Sequence, residues 1–128
     1  LLIRGLQCHF ILFLKRLHLY SEGRIATAML TESEMDPFGS EAYTEGIVEK
    51  LRDIDTVEIA AFLRQKGKDV KVSLRAKKYA DVARIAASKN GGGHPRAAGY
   101  TEYGITAAEA EKIAVQLAEK ELQACWKE

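Results

Sequence analysis

Three consecutive glycines, Gly91, Gly92 and Gly93, set the strongest constraint on how this chain can fold. A backbone without Cβ atoms bends freely and can approach a ligand closely. Taken alone, such a run reads equally as a turn. Its neighbours add chemistry: Asn90 precedes it, His94 follows at once, and Arg96 stands two residues later. Successive bare N–H groups can form a concave anion nest. An imidazole and a guanidinium beside such a nest are further donors for phosphate. Residues 90–99 therefore read as a phosphate-binding loop.

The flanks place this loop among strands and helices. Val70 to Lys77 alternates apolar and polar residues, the signature of a strand with one buried face. By that alternation Ser73 and Arg75 share a face. Asp81 to Ala86 reads as a short helix, with Asp81 near its N-terminus, where the dipole favours a carboxylate. Ala97 to Tyr103 reads as a strand. Upstream, Leu17–Tyr20 and Arg24–Leu30 flank Ser21-Glu22-Gly23, a hairpin signal. Asp36 to Ser40 is a breaker, and Ser40 can cap a helix reaching Arg52, with Tyr43, Ile47, Val48 and Leu51 inward. Thr56 to Arg64 reads as a strand joined to the next by the turn Gly67-Lys68-Asp69. Thr106 and Glu109 form a capping box for the last helix. Its expected inner stripe is Ala110, Ile113, Leu117 and Leu122. The expectation is an α/β fold, a mixed sheet of about five strands with helices packed on it.

Leu2, Leu6, Phe10, Phe13, Leu14 and Leu17 recur at helical spacing, which predicts an amphipathic helix over residues 1–17. The apolar run from Phe10 to Leu14 is far shorter than the ~20 residues of a membrane helix, so no membrane association is expected. The chain opens Leu1-Leu2-Ile3 without a methionine, and residues 1–17 are read as a linker from a missing N-terminal domain, with 18–128 as a single domain. Nineteen Lys and Arg against eighteen Asp and Glu leave a net charge of +1, so contact with nucleic acid must come from a local patch rather than global attraction. Cys8 and Cys125 show no zinc spacing, and a reducing, cytoplasmic compartment is the simpler expectation.

The succession of strand, Ser73-Leu74-Arg75, Asp81-Val82 helix, Gly91-Gly92-Gly93-His94 and Ala97-Ala98-Gly99 resembles the DHHA1 domain, the C-terminal substrate-binding domain of DHH-family phosphoesterases. That group includes oligoribonucleases that also dephosphorylate 3′-phosphoadenosine 5′-phosphate, cyclic-dinucleotide phosphodiesterases and single-strand-specific DNA exonucleases. The resemblance spans roughly residues 18–125. It departs at Ala76, where the family usually has serine, and at Asn90, where it often has a fourth glycine. It implies that Arg75, Gly92, Gly93 and His94 hold a substrate phosphate, with Ser73 in the same motif and Gly91 completing the glycine loop.

The residues suit that role. Arginine binds two phosphate oxygens with a planar fork, and histidine donates as neutral or charged imidazole. The structural alternatives are a solvated strand-end arginine and a loop-capping histidine. Arg96 and Lys77 are read as ordinary solvated bases, with added positive potential at the site as the alternative. Lys66, Lys68 and Lys71 are read as a solvated turn that could instead trail a second nucleotide's phosphate. His9 and His18 are left structural, and Trp126 is read as a packing anchor, with stacking on a base as the alternative.

In the resembled family, an Asp-His-His triplet and other aspartates hold divalent ions, typically Mn2+, that activate water. No such triplet occurs here, and Asp36, Asp53, Asp55 and Asp69 have no histidine beside them. The expectation is therefore a nucleotide or short-oligonucleotide phosphate-binding half of a manganese-dependent phosphoesterase. It has no catalytic residue and no metal of its own, and its partner is the missing catalytic domain. Two rivals remain. One is a tRNA or single-stranded nucleic-acid binding module of related fold, as alanyl-tRNA synthetases carry. The other is a homodimerising domain using residues 1–17.

Overall fold

The computed structural model describes residues 16–32 and 41–126. The elements run β1 (Leu17–Tyr20), β2 (Ile25–Leu30), α1 (Glu41–Arg52), β3 (Ile59–Lys66), β4 (Asp69–Ala76), α2 (Val82–Ser88), β5 (Gly92–His94), β6 (Ala97–Tyr103) and α3 (Ala107–Trp126). A hairpin followed by a helix thus occurs three times. The sheet has the order β1-β2-β3-β4-β6-β5. The β2–β3 pair is parallel and the remaining pairs are antiparallel, so the sheet is mixed, as the sequence predicts.

Strand β3 lies mid-sheet and is apolar on both faces, the pattern of a strand covered on both sides. Ile59, Ala61 and Leu63 join Val70, Val72, Leu74 and Tyr100 under α2 and α3. Ala60 and Phe62 join Ile47, Val48, Leu51 and Val57 under α1. Each face therefore has its own core, with the sheet between.

Several details differ from the sequence reading, among them small shifts in the bounds of β4 and α2. The sheet has six strands because Gly92–His94 leaves the expected loop and pairs with β6. Strand β3 starts at Ile59 and ends at Lys66, two residues past Arg64. The buried stripe of α3 is Ala110, Ala114, Ala118 and Leu122, while Ile113 and Leu117 are half-buried. Small side chains let the helix sit close to the sheet, and the larger ones flank the contact. Leu17, read as both helix end and strand, opens β1. Residues 1–15 of the helix read over 1–17 lie outside the described residues, as do the breaker at 36–40, the Ser40 cap and the Tyr43 side chain. The expected Thr106 cap is present, and Asp81, read only as a carboxylate near the helix N-terminus, is itself a cap. Asp81 caps α2 by accepting from Arg84 N at 3.1 Å. Thr106 accepts from Glu109 N at 3.1 Å and its hydroxyl meets Glu109 Oε1 at 3.1 Å.

Four buried carboxylates, Glu58, Glu102, Glu111 and Glu121, fasten elements together. Glu111 on α3 accepts from Thr27 Oγ1 at 2.5 Å and from His18 Nδ1 at 2.8 Å. His18 is thus structural, as expected, though it has a partner that the sequence did not reveal. Burial pushes the Glu111 carboxyl upward, but hydrogen bonds from Thr27 and His18, the His18 charge and a Tyr20 hydrogen bond outweigh it and hold the group below its ordinary value. A depressed folded-state value means that this carboxylate contributes stability above its unfolded pKa, and the contribution disappears as pH falls through the folded value. Acid should therefore lower the melting temperature of the parent more than that of Glu111→Gln. Melting curves between neutral pH and about pH 3 should converge for the two proteins at the acid end. Parallel curves would remove Glu111 from the acid response.

Candidate functional site

The predicted site residues come together through strand register. Arg75 pairs with Ala97 of β6, and Ala97 pairs with His94 of β5. Ser73 pairs with Gly99, and Gly99 pairs with Gly92. Directly paired residues point to the same face. These are therefore two parallel rows, Arg75–Ala97–His94 and Ser73–Gly99–Gly92. On β3 the rows continue as Ala60 and Phe62, both in the core beneath α1. The site thus lies on the α1 side of the sheet, over β4, β6 and β5.

The middle strand contributes only Ala97 and Gly99 to these rows. Small residues there leave a trough between Ser73 and Arg75 on one side and Gly92 and His94 on the other. Strands are about 4.8 Å apart, so Arg75 and His94, two strands apart, stand with their Cα atoms roughly 10 Å from each other. That gap suits one phosphate group held from both sides. Arg75 is half-buried and Nη1 donates to Leu74 O at 2.9 Å. His94 is exposed.

Each glycine has a different reason to be glycine. Asn90 has φ 62° and closes α2 in a Schellman arrangement: Asn90 N donates to Ala87 O at 3.2 Å and Gly91 N to Ala86 O at 2.8 Å. The Gly91 N–H is therefore committed to the helix end. A Cβ on Gly91 would lie 2.2 Å from Gly99 O and 2.6 Å from Tyr100 Cβ. Gly93 has φ 144°, and its Cβ would lie 2.6 Å from both Ala97 O and Ala98 Cα. A Cβ on Gly92 meets nothing within 4 Å. Gly91 and Gly93 are needed by the fold itself, whereas Gly92 is left bare on the open side of the sheet.

Other cations are structural. Lys77 Nζ donates to Ile54 O at 2.7 Å and to Asp55 O at 3.3 Å, just beyond the end of α1. Arg96 Nη1 donates to Ala80 O at 2.7 Å, and Pro95 O accepts from Val82 N at 2.9 Å. These bonds fix the β5–β6 hairpin tip against the start of α2, so neither base is merely solvated. The connection they hold is also gripped by Glu58. Its carboxylate accepts from the backbone N–H groups of Lys78, Tyr79 and Ala80 at 2.8–3.1 Å. Lys66, Lys68 and Lys71 are exposed. Among the described residues, no three His, Cys, Asp or Glu side chains gather as a metal-binding group. The site's own charged or polar side chains, the Arg75 guanidinium and the His94 imidazole, fit an anion rather than a cation. No helix among the described residues is long and apolar enough to cross a membrane.

An open depression of about 640 Å³ adjoins the trough at Ser73, Gly91 and Gly99. Arg75, Gly92, Gly93 and His94 lie outside it. The sequence gives no sign of this hollow, because it forms where β5 stops and β6 continues.

Residues 25–124 match the DHHA1 domain, and the chain belongs to that family. It is 31% identical over 100 residues to the bifunctional oligoribonuclease and PAP phosphatase NrnA of Thermus thermophilus, an alignment covering 78% of this chain and 30% of that protein. An exopolyphosphatase-related protein from Bacteroides fragilis superposes with a TM-score of 0.76 at 32% identity, covering 90% of this chain and 34% of the other. A pGpG-specific phosphodiesterase, PggH, from Vibrio cholerae shares the fold, with a TM-score of 0.62 at 11% identity over 90% of this chain and 39% of the other. The chain thus spans about a third of the length of these relatives.

Proposed function

We propose that this chain is the substrate-holding domain of a DHH-family phosphoesterase and binds the phosphate of a nucleotide or short oligonucleotide. The observation that carries the reading is the trough between the two rows. Arg75 and His94 lie on one face of the sheet on either side of Ala97, and Gly92 beside His94 has no Cβ although nothing in the protein excludes one. A bare backbone on an open face is accounted for by a ligand that must come close. The relation to an oligoribonuclease and PAP phosphatase supports nucleotides as the ligand class. Manganese, in this reading, belongs to a separate catalytic domain, which would activate water against the phosphate presented by this one. The present residues bind and orient.

Two measurements test it. The chain alone, supplied with manganese and 3′-phosphoadenosine 5′-phosphate or a dinucleotide, should bind ligand without hydrolysing it; robust turnover by pure protein would overturn the reading. Arg75→Ala and His94→Ala should each lower nucleotide affinity about ten-fold, since a charge-assisted hydrogen bond is worth about 1.5–3 kcal/mol. Arg75→Lys should lose part of the affinity, because it keeps the charge without the fork. Unchanged calorimetric titrations in both alanine variants would remove these residues from the site. A binding constant for tRNA that far exceeds that for nucleotides and falls steeply with salt would favour the nucleic-acid module instead.

A further inference from the structure

We infer that the depression beyond Ser73 is a second subsite, which takes the next nucleotide of an oligonucleotide whose first phosphate sits in the trough. This rests on the reading of Ser73, Arg75 and His94 as the first phosphate site.

The geometry makes the two spaces continuous. Strand β5 pairs with β6 only as far as Gly99. Beyond that point β6 runs on through Tyr103 with one edge unpaired by β5, and the hollow opens there. Its lining includes Arg64, Lys71, Ser73, Lys89, Thr101 and Tyr103. Arg64, Lys71 and Thr101 form the next row on the same face as Ser73 and Gly99. That row is two residues further along the strands, about 6.8 Å. Ser73 belongs to both spaces, so a ligand leaving the trough enters the hollow without crossing a barrier.

The chemistry selects the occupant. Three cations line the hollow against one carboxylate, Glu102, which is paired with Lys89 at 3.1 Å. An anion is favoured. A volume of about 640 Å³ is too large for a lone phosphate and falls within the range for small organic ligands. At the far end Tyr103 is 73% exposed, and Asp69 is its strand partner. An uncovered aromatic ring beside a basic row is the combination that holds single-stranded nucleic acid, the cation meeting the backbone and the ring stacking on a base. A ligand with a single nucleoside would fill the trough and leave the hollow vacant.

The test compares two ligands on one protein. 3′-Phosphoadenosine 5′-phosphate should bind the parent, Lys71→Ala and Tyr103→Ala with the same affinity. A 5′-phosphorylated trinucleotide should bind each variant roughly ten-fold more weakly than the parent, the loss expected for one stacked base or one phosphate contact. Tyr103→Phe should restore trinucleotide affinity, because the ring is kept. Lys71→Ala should also flatten the salt dependence by about 0.7 in log–log slope. Both side chains are exposed, and melting curves should confirm that the variants fold as the parent does. Equal trinucleotide affinity in parent and variants would overturn the subsite while leaving the phosphate site standing. Equal losses for both ligands would also overturn it, by assigning Lys71 and Tyr103 to the first site. Failure of the parent to bind either ligand would overturn both readings together.

Discussion

Gly92→Val should fold like the parent and lose nucleotide binding by roughly a hundred-fold or more, while Gly91→Val should fail to fold properly. At position 92 the backbone is part of a strand and a Cβ meets nothing within 4 Å. A β-branched residue is well suited to such a backbone. The side chain would, however, stand in the trough between His94 and Ser73 and hold phosphate away from the main chain, with the loss of at least one hydrogen bond worth about 1.5–3 kcal/mol and of the close approach itself. Position 91 differs by a single residue and has the opposite constraint. A side chain there meets the backbone of Gly99 and Tyr100, which cannot rotate aside. The β5–β6 pair must separate, at or above the upper end of the ~1–3 kcal/mol typical of overpacking. Melting temperature and affinity measured on the same preparations separate the two variants. A well-folded Gly92→Val protein with parental affinity would reduce the glycine segment to a connector.

Glu58→Ala should be among the most destabilising single substitutions in the domain, costing about 3–5 kcal/mol. The carboxylate is 4% exposed and accepts from three successive backbone N–H groups. Truncation leaves those donors without an acceptor in a place that water does not readily reach, and each orphan costs about 1–3 kcal/mol. Glu58→Gln should be milder, since one amide oxygen still accepts. The damage should reach the candidate site, because the segment held by Glu58 also supplies the Ala80 carbonyl that anchors Arg96. Amide exchange at Lys78, Tyr79 and Ala80 should accelerate in the alanine variant well before global unfolding. Parental stability together with parental protection at these three amides would show that the carboxylate is dispensable.

The sequence disclosed what depends on local order. Alternation from Val70 to Lys77 puts Ser73 and Arg75 on one face, the Thr106 cap stands where it is expected, and Asp81 lies at the helix N-terminus, as a cap rather than as a first-turn residue. Other features depend on partners distant in sequence. Glycines have little strand propensity, so β5 exists only because β6 lies beside it. The alanines of α3 carry a weak hydrophobic signal, yet they are innermost because the helix approaches the sheet closely. Nothing in the residues around Glu58 or Glu111 distinguishes a buried carboxylate from a solvated one, since their donors come from 20 to 93 positions away. The glycine run was legible as special, but not that its first and third members are needed by the fold and its second is not.

In the proposed reading, the alternation of β4 assigns two tasks to alternate positions of one strand. Even-numbered positions, Val70, Val72, Leu74 and Ala76, are buried in the core under α2 and α3. Odd-numbered positions, Lys71, Ser73 and Arg75, lie on the opposite, α1-side face with the trough, and Lys71 and Ser73 also line the hollow. A systematic scan of this strand should therefore oscillate with a period of two, melting temperature falling at even residues and affinity at odd ones. If the scan oscillates in this way, selection can retune recognition at odd positions while stability stays fixed. Deletion of one residue from the Gly67 turn exchanges the two sets, so a single frameshift in register would cost the molecule its core and its ligand together.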